Sequence, residues 1–118
     1  MTHDIVVLVR SAPEVRTLIE SMAETDETLR VRGAADGAII QLCNDDGQAL
    51  VSIEAPQFVR VDGEVERLLG AEVAAKVPTP VWWVEARAAL GDARSAALAR
   101  AFADALVARL GGAVWTDE

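Results

Sequence analysis

"PTPVWWVEARA", residues 78–88, is the stretch on which the reading of the fold turns. Its two prolines end any helix that reaches them, because proline has no N–H to give. Beyond them lies a short run rich in β-branched and aromatic residues, which reads as a strand. Neighbours in a strand point to opposite faces. Trp82, Val84, Ala86 and Ala88 therefore share one face, apolar and small beyond the indole, and belong beneath helices. Val81, Trp83, Glu85 and Arg87 share the other, where an indole stands beside a carboxylate and a guanidinium. Trp83 is expected on the open face of the sheet, with the Pro78–Pro80 segment or a last strand carrying Trp115 as its alternative cover.

Toward the C-terminus, Gly91-Asp92 breaks the strand and opens a long helix over Ala93–Leu110. Its apolar stripe is Leu98, Ala101, Phe102, Ala105, Leu106 and Leu110, at helical spacing. Gly111-Gly112 closes it, and "AVWT" (113–116) reads as a final strand. Toward the N-terminus, Asp62 is placed to cap a short helix, "GEVERLLG" (63–70), with Val65, Leu68 and Leu69 inward. "AEVAAKVPTP" (71–80) either continues that helix for a turn or two or is loop. Before it lies a β-rich middle: "LRVRG" (29–33), "GAIIQLC" (37–43), "QALVSIE" (48–54) and an extension through "FVRV" (58–61). Asp46-Gly47 marks a hairpin turn, and Asp36-Gly37 a weaker one. The chain opens with "DIVVLVR" (4–10), apolar on both faces, as a central strand covered on both sides would be. Ser11, Pro13 and Glu14 then form a capping box for a helix whose face is Val15, Leu18, Ile19 and Met22.

The order is thus β-α-β-β-β-(α)-β-α-β. It specifies an α+β fold: a mostly antiparallel sheet with two main helices on one face. The nearest common plan is a ferredoxin-like two-layer sandwich with extra strands, its strand order left open. At 118 residues, with just over half of them apolar and no linker, the chain reads as one domain, 1–118.

Composition narrows function by exclusion. The formal net charge is −8, with scattered arginines and one lysine, Lys76. A surface of that sign repels phosphate, so neither nucleic acid nor an anionic membrane is an expected partner. No apolar run approaches the length that spans a bilayer, and the N-terminus does not read as a signal peptide. With one cysteine, Cys43, the expected address is the cytoplasm. Scarce lysine, no tyrosine and abundant alanine, arginine, valine and glycine suggest a GC-rich bacterial genome.

The chain is poor in the groups that catalysis needs. His3 is the only histidine, which argues against a Ser-His-Asp or Cys-His device and against a zinc site. Phosphate-binding glycine loops are absent, so no cofactor is expected. Asn44, Asp45 and Asp46 offer oxygens to a divalent cation, but read as a solvated turn. Cys43 lies near two aspartates and no base in sequence, and reads as a buried structural thiol. Arg30, Arg32 and Arg60 suit either an anion or pairing with Glu54.

Trp83, Glu85 and Arg87 remain as the candidate binding residues, and no catalytic or metal-binding residue is nominated. The first reading is a non-enzymatic protein-interaction module, homodimerising through the open sheet face around Trp83. The second is an acidic partner of one specific protein, such as a neutraliser of a basic toxin or a small chaperone. The third is a cofactor-independent small-ligand carrier or enzyme, with Glu85 as base and Arg87 as anion clamp.

Overall fold

The structure is a computed structural model that describes residues 2–34, 38–90 and 93–116. Among them, seven strands and four helices follow one another as β1 (Thr2–Val9), α1 (Val15–Ala23), β2 (Arg30–Ala34), β3 (Ile39–Cys43), β4 (Ala49–Glu54), β5 (Gln57–Val59), α2 (Glu64–Leu69), α3 (Ala71–Lys76), β6 (Val81–Ala89), α4 (Ser95–Leu110) and β7 (Gly112–Thr116). The strands form one antiparallel sheet in the order β2-β3-β4-β6-β1-β7, with β5 also paired to β6. β4-β6-β1-β7 with α1 and α4 is a β-α-β-β-α-β core of the ferredoxin-like kind. β2 and β3 extend it on one side, and β5-α2-α3 is inserted before β6.

β6 is central because both of its faces carry apolar residues and both of its edges find partners. β1 pairs along its whole length, from Thr2 opposite Ala89 to Val9 opposite Trp82. On the other edge β4 takes the second half, Val51–Ile53 against Ala88–Ala86, and β5 the first, Gln57–Val59 against Trp83–Val81.

The main core lies under α1 and α4, the two main helices, on one face. Ile5, Val7 and Val9 of β1, Val84, Ala86 and Ala88 of β6, and Ile40, Leu42, Val51 and Ile53 meet Leu18, Met22, Leu98, Phe102 and Leu106 there. A smaller core forms on the opposite face, where α2 and α3 lay Val65, Val73 and Val77 on Val6, Leu8, Val81 and Ala113. The continuous apolar run of β1 is thus used on both sides, as its sequence requires.

Three helices depart in detail from the sequence reading. The Ser11–Glu14 capping box does not form: α1 begins after Glu14, with no side-chain cap. Its buried face is Leu18, Ser21 and Met22, whereas Val15 and Ile19 are exposed, because packing in the main core selects the side that carries Leu18 and Met22. α4 buries Ala99 and Ala103 rather than Ala101 and Ala105, so its stripe runs through Ser95, Leu98, Ala99, Phe102, Ala103 and Leu106. The alanine-rich sequence offers several stripes of equal hydrophobicity, and packing selects one. α2 starts after Gly63 without a cap from Asp62, whose carboxylate accepts the Thr79 hydroxyl instead. The Asp46-Gly47 turn is present: Asn44 Oδ1 accepts from the Asp46 and Gln48 amides at 3.0 Å each, and Gly47 has φ 81°. The expected breaks at Asp36-Gly37 and Gly91-Asp92 lie outside the described residues.

Candidate functional site

Strand alternation separates the two tryptophans. Trp82 packs at the edge of the main core and is half-buried, with Phe58, its partner across β5, tilted against it at a ring separation of 4.8 Å. Trp83 lies on the other face, also half-buried, against the small core. It is not on open sheet. It packs against the small core that α2 and α3 lay on this face, a core that Trp115 of the last strand also joins. The sheet beyond it, over β2, β3 and β4, carries a polar row on this face. Arg32 donates to Gln41 Oε1 at 2.8 Å, and Gln41 donates to Ser52 Oγ at 3.3 Å. In register, Ser52 stands opposite Arg87, and Arg87 opposite Asp4.

Arg87 is the hub of a charged group. Its guanidinium lies 3.1 Å from Glu85, 3.3 Å from Glu54 and 3.9 Å from Asp4. The hydrogen bond to Glu85, with the Glu54 charge behind it, raises the Arg87 pKa above its usual value. Arg87 is about half exposed, so each pair contributes well under about 1 kcal/mol. Its effect is geometric: it holds Glu85 along the strand. Glu54 therefore pairs with Arg87 and not with Arg32, which binds Gln41.

Trp83 and Glu85 both line two adjoining clefts. The larger, about 380 Å³, runs between them and the segment after β5, with Val59, Val61 and Arg60 on its far wall. The smaller, about 250 Å³, lies between them and Trp115, with Asp4 and Val6 also on its walls. Leu68 of α2 lines both as well. The sequence pattern turns Leu68 inward; in the structure it is 51% exposed, and Val61 is 65% exposed. The helix is six residues long and fully buries only Val65; Leu69 packs partly against the small core, and Leu68 is left exposed at the clefts.

Of the three residues chosen from sequence, Trp83 and Glu85 come together at both clefts, and Arg87 stands beside them through Glu85. Leu68, Val61, Asp4 and Trp115 were missed as site residues. The available signal was β1: a strand apolar on both faces required a cover over Trp83's face, and "GEVERLLG" was the segment left to supply it. Cys43 is buried and free, as its sequence neighbours imply. Among the described residues, no three His, Cys, Asp or Glu side chains come together to hold a metal, and no helix is long and apolar enough to cross a membrane. Compared with known protein families, curated proteins and solved structures, the chain matches none.

Proposed function

We propose that the protein is a non-enzymatic interaction module, and that its contact face is the pair of clefts that share Trp83, Glu85 and Leu68. The observation that carries this reading is the placement of two strongly exposed aliphatic side chains, Leu68 and Val61, beside a half-buried tryptophan. Exposed apolar side chains gathered at a concave site mark contact surfaces. Tryptophan at the centre of such a site is the usual anchor of binding energy. The occupant is a second polypeptide, in the cytoplasm, and no cofactor is invoked. A second copy of the chain is one such occupant. Carboxylates at the clefts disfavour nucleic acid, and they place like charges together when two copies meet face to face. They favour a basic protein, the role of an acidic neutraliser or small chaperone.

Native mass spectrometry of the protein purified gently at its natural level tests this, alongside the Leu68→Asp variant. The expected result is a complex, of two copies or with another protein, that Leu68→Asp abolishes while the variant's thermal midpoint stays unchanged. A complex that survives Leu68→Asp overturns the reading. So does a chain that carries only a small added mass, which would instead favour the ligand-carrier alternative built on Glu85 and Arg87.

A further inference from the structure

The smaller cleft combines aromatic and acidic side chains. Its walls carry two indoles, Trp83 and Trp115, and two carboxylates, Asp4 and Glu85. Among its described lining residues there is no basic side chain. The sheet register explains the arrangement. Val6 of β1 pairs with Glu85 on one side and with Trp115 on the other, while Leu8 pairs with Trp83. Val6 is therefore the floor, and the two tryptophans rise from the strands that flank it. Those strands lie about 9–10 Å apart, two strand spacings, with Trp115 level with Val6 and Trp83 two residues along, level with Leu8. The volume, about 250 Å³, falls below the roughly 300–1,000 Å³ of sites that enclose a drug-sized molecule. It suits one side chain.

Resting on the interaction-module reading, we propose that this cleft receives an arginine or lysine side chain of a partner polypeptide. The cation lies against the indole faces and is met by the Asp4 and Glu85 carboxylates. The neighbouring apolar wall beyond Leu68 takes an adjacent apolar residue of the same segment. Indole faces attract cations through the ring quadrupole, most strongly for tryptophan. A guanidinium adds planar stacking and a forked hydrogen bond to carboxylate. The net charge of −8 draws such a partner in from a distance. Arg87 already pairs with both cleft carboxylates, 3.1 Å from Glu85 and 3.9 Å from Asp4, and with Glu54 at 3.3 Å, so three carboxylates stand against one guanidinium and this group keeps a net negative charge.

The test uses the full chain labelled with ¹⁵N, whose three tryptophans give separate indole N–H signals. It is titrated with acetyl-arginyl-leucinamide and, separately, with the citrulline analogue, which keeps the shape and loses the charge. The expected result is saturable movement of the Trp83 and Trp115 signals but not of Trp82. Binding should weaken at least about tenfold with citrulline, the fold-change that about 1.4 kcal/mol of lost cation–indole and ion-pair attraction produces. It should weaken likewise in Glu85→Gln, and fall as salt is raised. Equal binding of the citrulline peptide, movement confined to Trp82, or no saturable movement at all overturns the inference. The two proposals fail separately. If the native complex depends on Leu68 but the citrulline peptide binds as well as the arginine peptide, the cation cleft falls and the module stands. If the arginine peptide binds at Trp83 and Trp115 while the native complex ignores Leu68, the module falls and the cation cleft remains.

Discussion

Gly112 shows how narrowly a single residue is fixed. It opens β7 opposite Val9 of β1, with φ 144°, where a side chain is strained. A Cβ at this position would overlap the Leu8 carbonyl oxygen, and that oxygen is backbone that cannot swing aside. Gly112→Ala should lower stability by more than about 1 kcal/mol, read as a shift of the urea midpoint, with the Trp115 fluorescence changing as β7 is pushed from β1. The paired glycines in the sequence announced a helix end and did so correctly. They gave no sign that the second was needed for the sheet. Helix ends are local and legible, whereas a close approach to a strand so distant in sequence depends on the folded register.

At the scale of elements, the strands were readable and the helix faces only partly so. Period-two alternation put Trp82 and Trp83 on opposite faces without any knowledge of partners. α2 was harder. Six residues have too little length for a stripe to be defined, so Leu68 and Leu69 were indistinguishable until packing on Val6 and Leu8 selected a face. What holds α2 locally is an i,i+3 pair. Arg67 donates to Glu64 at 2.8 Å and 3.2 Å, and that hydrogen bond lowers the Glu64 pKa below its ordinary 4.5. A carboxyl whose folded value is depressed binds protons less readily than in the unfolded chain. Its contribution is therefore present above pH 4.5 and is lost as pH falls through the folded value. Asp26, bonded to Thr28, titrates in the same sense from 3.8. Thermal midpoints of wild type and Arg67→Gln should differ at about pH 6–7 and converge well below about pH 4 as Glu64 is neutralised. A gap that is unchanged at low pH would show the pair to be irrelevant to the helix.

For the molecule as a whole, fold class and the placement of α1, α2 and α4 followed from the sequence; α3, left open as helix or loop, and the strand order did not. The continuous apolar run of β1 demanded burial on both sides, yet two long helices could cover only one. The second cover was supplied by short helices of ambiguous pattern, and the candidate site lies where they meet the sheet. Glu85 and Trp83 could be nominated because they are neighbours along β6. Asp4 and Trp115 are far apart in sequence and share a cleft only through β1. The main core rests on α4, whose Phe102 is the largest fully buried side chain. Phe102→Ala should cost about 3–5 kcal/mol, measured by chemical denaturation. A loss below about 1 kcal/mol would mean that the two faces of the sheet do not depend on this packing.

The position of β1 between β6 and β7 has a consequence for the order of assembly. Of the described strands, the first to leave the ribosome is paired on both edges by the last two. Its apolar residues must therefore wait, exposed or shielded by something else, until β6 and β7 have been made. Contacts so distant in sequence slow folding, because a long loop must close before any of them form. The β2-β3-β4 meander has no such delay. The newborn domain thus emerges with an apolar segment, residues 4–10, ahead of the partners that close over it, and such exposed apolar chain favours aggregation until they arrive.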